Sequence, residues 1–244
     1  MSDKISEARL SPVAMDILSR LVKGTDDELK DQDVEERETL RIFSRERLIA
    51  IKGSELSDMG VPSGLREYFN HSFDPKQQPK IPPTTWKQIW MAVQSGSWVT
   101  IIGSPGIGKT DFGLRCLWEK RLSRPFWDAD SFAYIDMAEL ATCLNPSMPD
   151  RDRGSALQTR FNGAAVVLLD DVGYANTEAV RFVIKRWIIS AEKRRQTLIM
   201  TGNLTAANLA KYIGEAAFSR LARRPNQIFE LVGRDMRKVL STKP

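Results

Sequence analysis

Residues 103–110 read Gly103-Ser104-Pro105-Gly106-Ile107-Gly108-Lys109-Thr110 and follow the apolar run 98–102. This G-x-x-x-x-G-K-[ST] pattern is typical of a phosphate-binding loop between a strand and a helix. The glycines let successive backbone N–H groups point at phosphates, and the helix N-terminus adds its positive end. We expect Lys109 to reach the β- and γ-phosphates and Thr110 to ligate Mg²⁺. The motif thus predicts a nucleoside triphosphate site that requires Mg²⁺, and we include Asp111, the next residue, in the nucleotide-binding set.

A second motif is the apolar run 164–169, which ends in Asp170 and Asp171. This resembles a Walker B strand, in which Asp170 would hold Mg²⁺ mainly through water and Asp171 would act as general base toward the attacking water. Alternatively, the paired acids only end a strand and cap the next loop. Asn203 follows the apolar run 197–201 and is expected to position the same water, unless it is simply an asparagine in a tight turn.

The composition excludes several classes of protein. The 244 residues suit one α/β domain with a smaller appendage. Cys116 and Cys143 are far apart and form no metal-binding pattern, so we expect neither a disulfide nor a zinc site. The N-terminus lacks the apolar core of a signal peptide, and no run approaches the length of a membrane span. We therefore expect a cytoplasmic protein without a membrane contact.

The charges are segregated along the sequence. There are 36 Lys and Arg against 31 Asp and Glu, a net charge of +5. Acidic residues crowd segment 26–38, whereas basic residues fill the last quarter. This distribution suggests an acidic docking arm and a body that faces nucleic acid or phosphate, although solvated helix faces would give the same pattern.

The chain is predicted to have three parts. Residues 1–58 form a helical, acidic partner-binding region, 59–83 a connector rich in proline and glycine, and 84–244 the ATPase domain. Thr84 or Thr85 is expected to cap a helix whose core face carries Ile89, Trp90 and Val93, together with Trp86. Beyond it, strands at 98–102, 132–135, 165–169, 197–201 and 227–231 alternate with helices at 109–121, 137–144, 154–161, 177–194, 205–212 and 215–223. The alternation predicts an α/β fold with a parallel sheet flanked by helices.

Four sequence blocks in this order resemble those of AAA+ ATPases of the DnaC-type helicase loaders and the related IstB transposition ATPases. The blocks are the phosphate-binding loop 103–110, Val167-Leu168-Leu169-Asp170-Asp171-Val172-Gly173, Met200-Thr201-Gly202-Asn203-Leu204, and Phe218-Ser219-Arg220-Leu221 followed by Gly233-Arg234-Asp235-Met236-Arg237. The resemblance covers roughly residues 60–240 and implies an AAA+ P-loop NTPase with a minimal C-terminal lid.

The resemblance also implies roles for two arginines. Arg220 would be the finger that reaches the γ-phosphate in the neighbouring subunit of a homo-oligomer, with Arg223 and Arg224 as alternatives in register. Arg237 would be the sensor 2 residue that contacts the γ-phosphate in its own subunit. Each of them could instead be an ordinary surface arginine.

The function that the resemblance implies is helicase loading in DNA replication. Residues 1–58 would bind a DnaB-type hexameric helicase, the oligomer would bind single-stranded DNA, and ATP binding and hydrolysis would switch assembly and release. Arg151, Arg153 and Arg160 lie where this family carries DNA contacts. The alternative is an IstB-like regulator that assembles on duplex DNA and recruits a transposase; a small-molecule kinase is disfavoured, because no second substrate pocket is recognisable.

Overall fold

The structure is a computed structural model that describes residues 55–66, 83–122 and 132–231. These ranges belong to the compact unit that begins at Glu55. The expected N-terminal helical stripes, the acidic segment 26–38, Arg237 and the expected minimal lid lie outside the described residues.

Five strands form one fully parallel sheet in the order β2-β3-β4-β1-β5. Their bounds are β1 Val99–Gly103, β2 Phe132–Asp136, β3 Val166–Val172, β4 Thr197–Gly202 and β5 Gln227–Leu231. The predicted parallel sheet is confirmed. The largest difference is in β3, which continues past the two aspartates to Val172 through an irregularity in its pairing with β4.

Seven helices are bounded within the described residues: α1 Pro83–Gln94, α2 Lys109–Leu122, α3 Met137–Cys143, α4 Arg151–Gly163, α5 Glu178–Arg194, α6 Ala206–Ile213 and α7 Glu215–Ala222. Two predicted starts differ from the structure by more than one residue. α1 begins at Pro83, and a proline is well tolerated in a first turn because that turn needs no backbone donor. Thr84 and Thr85 therefore lie inside the helix and do not cap it. α4 begins three residues earlier than expected because Asp150 caps it by accepting a hydrogen bond from the Arg153 amide at 3.0 Å.

The strands β1 to β4 are buried on both faces, as expected for a parallel sheet covered by helices, whereas the edge strand β5 is partly exposed. Neighbouring β1 residues alternate between the layers: Ile101 faces the core on the side of α1 and α2, and Ile102 faces the core beneath the helices α3–α7. In α1, Ile89 and Val93 are fully buried as predicted, but Trp90 is 39% exposed, so its assignment to the core was wrong. The buried face of α1 consists of Ile89, Ala92 and Val93.

The segment at the predicted junction between the N-terminal region and the connector packs against the sheet. Leu56, Met59 and Val61 are at most 3% exposed and share the α1–α2 core. The Met59 carbonyl accepts a hydrogen bond from the Tyr134 amide at 2.8 Å, so this segment is tied directly to β2. In the described ranges no helix combines the length and the hydropathy that crossing a membrane requires.

Candidate functional site

The predicted phosphate-binding loop connects β1 to α2 through three glycines with positive φ. Gly103, Gly106 and Gly108 have φ values of 140°, 77° and 86°, a region in which side chains are strained. A Cβ on Gly103 would also lie 2.0 Å from the Leu231 carbonyl oxygen of β5. The loop therefore depends on glycine both for its curvature and for its close approach to the edge strand.

The helix that follows the loop carries the residues expected to contact phosphate and metal. Lys109 is only 6% exposed, and its Nζ donates to the Ser104 carbonyl at 2.6 Å, so the ammonium lies over the loop backbone. Asp111 is buried and its carboxylate pairs with Arg115 one helical turn later at 2.9 Å. The Asp111 side chain thus orients Arg115, and its expected share in nucleotide binding remains a prediction.

The Asp170 carboxylate, 4% exposed, is surrounded by hydroxyl donors from three different elements. Oδ1 accepts from the hydroxyl of Thr110 at 3.0 Å and from that of Thr201, and Oδ2 accepts from Tyr134 at 2.8 Å. These groups come from the start of α2, the end of β4 and the middle of β2. The arrangement fixes the plane of a buried carboxylate and holds Thr110 beside it.

Two further ionisable groups lie on β2 next to this carboxylate. Tyr134 is 2% exposed, and burial, then the charge of Asp170, raises the pKa of its phenol well above the ordinary value, so it remains a donor. Asp136, paired in register with Asp170, caps α3 by accepting from the Ala138 amide at 2.7 Å. Burial raises the pKa of Asp136, an effect that the Ala138 hydrogen bond opposes.

Asp171 interrupts the regular backbone of β3 with a left-handed conformation. Its φ is 60°, at the irregularity in β3, and its amide donates to the Thr201 hydroxyl at 3.0 Å. The Asn203 side-chain amide donates to the Asp171 carboxylate at 2.6 Å. The turn at Asp171 therefore directs its carboxylate to the side chain that follows β4, as expected for a pair that acts on one water.

Arg220 lies at the other end of the strands. The Asn226 side chain donates to the Arg220 carbonyl at 2.7 Å and accepts from the Trp98 amide, just before β1, at 2.9 Å. The phosphate-binding loop follows the opposite end of β1, five residues later, which is roughly 16 Å along a strand. The Arg220 guanidinium pairs with Glu192 near the end of α5 at 2.7 Å.

The three arginines expected to contact DNA differ in their surroundings. Arg151 and Arg153 are exposed, and Arg153 is paired with Glu139 at 2.7 Å. The guanidinium of Arg160 packs on Gly60, so a Cβ there would be 2.6 Å from its Nη1. Their contact with DNA remains a prediction.

Sequence reasoning missed three residues of the site, namely Tyr134, Thr201 and Asp136. Tyr134 stands inside the predicted strand 132–135 and was given no role. Asp136 follows that predicted strand in the same way as Asp170 follows the predicted strand 165–169, a signal that could have identified it. Thr201 belonged to a recognised block, yet only the register of β3 and β4 shows that its hydroxyl meets both aspartates.

Comparison with protein-family models gives no match, and comparison with curated proteins gives none either. Solved structures do match. The chain is similar to AMPPCP-bound DnaA from Aquifex aeolicus, with a TM-score of 0.52 and 14% identity over 70% of this chain and 53% of that one. It is also similar to a replication initiator DnaA bound to AMPPCP and single-stranded DNA, with a TM-score of 0.50 and 14% identity over 66% and 51% of the two chains.

A DnaC helicase loader structure matches with a TM-score of 0.49 and 22% identity over 65% of this chain and 95% of that one. The chain spans about half the length of the DnaA chains that it matches. At these identities the similarity concerns the fold. The AAA+ P-loop NTPase fold expected from the sequence blocks is thereby confirmed.

Proposed function

We propose that this protein is a Mg²⁺-dependent ATPase that works as a homo-oligomer in DNA replication, in the manner of a helicase loader. The observation that carries the ATPase part is the meeting of four groups at the carboxyl edge of one sheet. These are Lys109 on the phosphate-binding loop, Thr110, the hydroxyl-bound Asp170, and the hydrogen-bonded Asp171 with Asn203. Ligands of open parallel sheets bind at this edge.

The residues present fit a magnesium site. The hydroxyl of Thr110 and the carboxylate of Asp170 are 3.0 Å apart, and hydroxyl and carboxylate oxygens are ligands suited to a hard cation that keeps much of its water. Bound Mg²⁺ would neutralise charge that develops on the phosphates. Tyr134 and Thr201 would hold Asp170 in place, since the partners of a metal-binding carboxylate set its orientation.

Asp171 is the proposed general base. Its carboxylate lies in a fixed position because the Asn203 amide donates to it at 2.6 Å and because its own backbone is held by Thr201. A carboxylate so placed accepts a proton from water, and the neighbouring amide orients the same water. Lys109, lying over the loop, supplies positive charge to the β- and γ-phosphates.

The position of Arg220 supports action between subunits. With its guanidinium near the amino edge of the sheet, it lies roughly a strand length from the phosphate-binding loop of its own chain. The arginine is therefore suited to the γ-phosphate of a neighbouring subunit. We propose the division of the chain into 1–58, 59–83 and 84–244, in which residues 1–58 bind the partner protein. We also propose that Arg237 contacts the γ-phosphate in its own subunit.

The ATPase proposal is tested with two variants of the full chain. Lys109→Ala should abolish binding of a fluorescent ATP analogue, whereas Asp171→Asn should bind it with little change and hydrolyse no ATP. Lys211→Ala and Asp152→Asn, which change exposed residues on α6 and α4, are matched controls and should behave as wild type. Hydrolysis that persists in Asp171→Asn would rule out its role as base.

The loader part rests on the resemblance of the sequence blocks, together with a fold shared with a DnaA structure that holds single-stranded DNA. Its test is cross-linking and co-purification of the full chain with the DnaB-type hexamer of the same cell, with and without ATP. The expected result is a complex, and preferential binding of single-stranded over duplex DNA at fixed salt. Duplex preference without helicase binding would instead indicate the transposition regulator.

A further inference from the structure

The proposed finger Arg220 shares one carboxylate with its neighbour Arg223. Glu192 Oε2 accepts from Arg220 Nε at 2.7 Å, and Oε1 accepts from Arg223 Nη2. Arg220 Nη1 also donates to the Ala216 carbonyl at 2.5 Å. We infer that Glu192 is the positioning residue that aims Arg220 at the nucleotide of the adjacent subunit, an inference that rests on the proposed function.

The ion pair between Arg220 and Glu192 can orient the guanidinium but adds little to the free energy of folding. The Arg220 and Glu192 side chains are 29% and 34% exposed. Ion pairs this exposed contribute little to stability, because water and salt screen them. Among the described residues, Arg220 Nη2 has no hydrogen-bond partner. The guanidinium is thus held through two nitrogens, and the third is left to bind an oxygen of another molecule.

Glu192 links the arginine to the rest of the site through a rigid element. It lies near the end of α5, whose 17 residues begin shortly after Asp171 and span roughly 25 Å. The helix therefore follows the proposed catalytic base in the chain and carries, near its C-terminal end, the acid that holds the finger offered to the neighbouring subunit. The Arg220 backbone is also tied to β1 through Asn226. Both supports fix the finger relative to the sheet that carries the subunit's own phosphate-binding loop.

Removal of the carboxylate should lower turnover and leave nucleotide binding intact. A misplacement of about 1 Å in a positioned group can cost on the order of 100-fold in rate. We expect Glu192→Ala to lower kcat roughly 10- to 100-fold with an unchanged KM for ATP. Glu192→Gln should lie between this variant and wild type, because its one carbonyl oxygen can still hold one of the two arginines.

A mixing experiment separates positioning from a general structural defect. Glu192→Ala subunits keep an intact nucleotide site but offer a poorly aimed finger, whereas Asp171→Asn subunits offer an intact finger but cannot hydrolyse. An equal mixture should therefore exceed the ATPase of either variant alone. Glu215→Ala, an exposed acid on the helix that carries Arg220, is the control and should keep wild-type activity. Thermal unfolding should be alike for all these variants.

The outcomes distinguish this inference from the proposal on which it rests. No ATPase in the wild-type oligomer, or full ATPase in Arg220→Ala, overturns the intersubunit finger and the role of Glu192 with it. Full or increased ATPase in Glu192→Ala, alongside loss in Arg220→Ala, overturns only the positioning role. A mixture with no recovered activity likewise overturns it, because the defect then lies in the subunit's own site.

Discussion

Replacement of Tyr134 by phenylalanine tests the hydroxyl environment of Asp170 directly. The change removes one oxygen from a side chain that is 2% exposed and leaves the ring in place. It takes away the 2.8 Å hydrogen bond to Oδ2 of a carboxylate that is itself 4% exposed. Because a buried charged acceptor then loses a donor, the cost is that of a charged hydrogen bond and not of a neutral one.

The expected loss of unfolding free energy is about 1.5–3 kcal/mol, the range for hydrogen bonds to charged groups. For a chain of this size each kcal/mol lowers the melting temperature by about 2–4 °C, so a decrease of about 3–12 °C follows. Tyr212→Phe is the matched control, since its hydroxyl donates at 2.6 Å to a neutral acceptor, the Ala175 carbonyl. Its cost should be smaller, about 0.5–1.5 kcal/mol.

The assay is thermal and urea unfolding of both variants, alone and with Mg²⁺ plus a non-hydrolysable ATP analogue. If water bound to Mg²⁺ donates to the carboxylate in place of the phenol, the ligand should stabilise Tyr134→Phe more than it stabilises wild type. Equal losses for the two tyrosine variants, or a negligible loss for Tyr134→Phe, would refute the reasoning that Oδ2 depends on this hydroxyl.

Three further changes examine the fold and the site. Leu56→Ala should lower the unfolding free energy by about 2–5 kcal/mol. Met91→Ala, at an exposed position, is the near-neutral control in the same urea titration. A negligible loss in Leu56→Ala would contradict the packing of residue 56 in the ATPase core. Gly103→Ala should unfold or fail to fold. An alanine at its φ of 140° costs about 1–3 kcal/mol in backbone strain, and the new Cβ would also clash with the Leu231 carbonyl. Gly163→Ala, with open space around the new Cβ, is the control and should be stable. Asp136→Asn keeps the helix cap and should be more stable than wild type at pH 7. Burial raises the folded-state pKa of Asp136, so the stability that the protonated carboxyl contributes is present at low pH and is lost as the pH rises through that pKa. The difference should shrink as the pH falls towards about 4, and a constant difference in pH-dependent unfolding would contradict this.

The sheet could be predicted from the sequence because β1 to β4 are buried on both faces and appear as apolar runs next to turn residues. The phosphate-binding loop was equally accessible, since its requirements are local and are written in consecutive residues. Helix starts were less reliable. The apolar pattern of α4 begins only after its polar first turn, residues 151–153, and the cap Asp150 places that turn in the helix and not in the preceding loop.

The parts of the site that could not be predicted depend on contacts between strands far apart in the chain. Tyr134 and Asp170 meet because β2 and β3 pair with Ala133 opposite Val167 and Ile135 opposite Leu169, a register that the sequence does not state. The left-handed turn at Asp171 arises where β3 slips against β4, and an apolar run gives no sign of such a slip. Motifs therefore indicated Asp170 and Asp171 as candidates, and only the register shows which side chains contact them.

The positions of the two halves of the proposed site constrain how subunits can assemble. The phosphate-binding loop lies at the carboxyl edge of the sheet and Arg220 near the amino edge, so the surface that receives a finger differs from the surface that supplies one. An interface that joins two different surfaces is head-to-tail, and repeating it gives a closed ring or an open helix, not a two-fold dimer. In either assembly each internal subunit receives one finger and supplies another. α5 connects those two events along the chain, because it follows Asp171 in sequence and carries near its C-terminal end Glu192, which holds the finger.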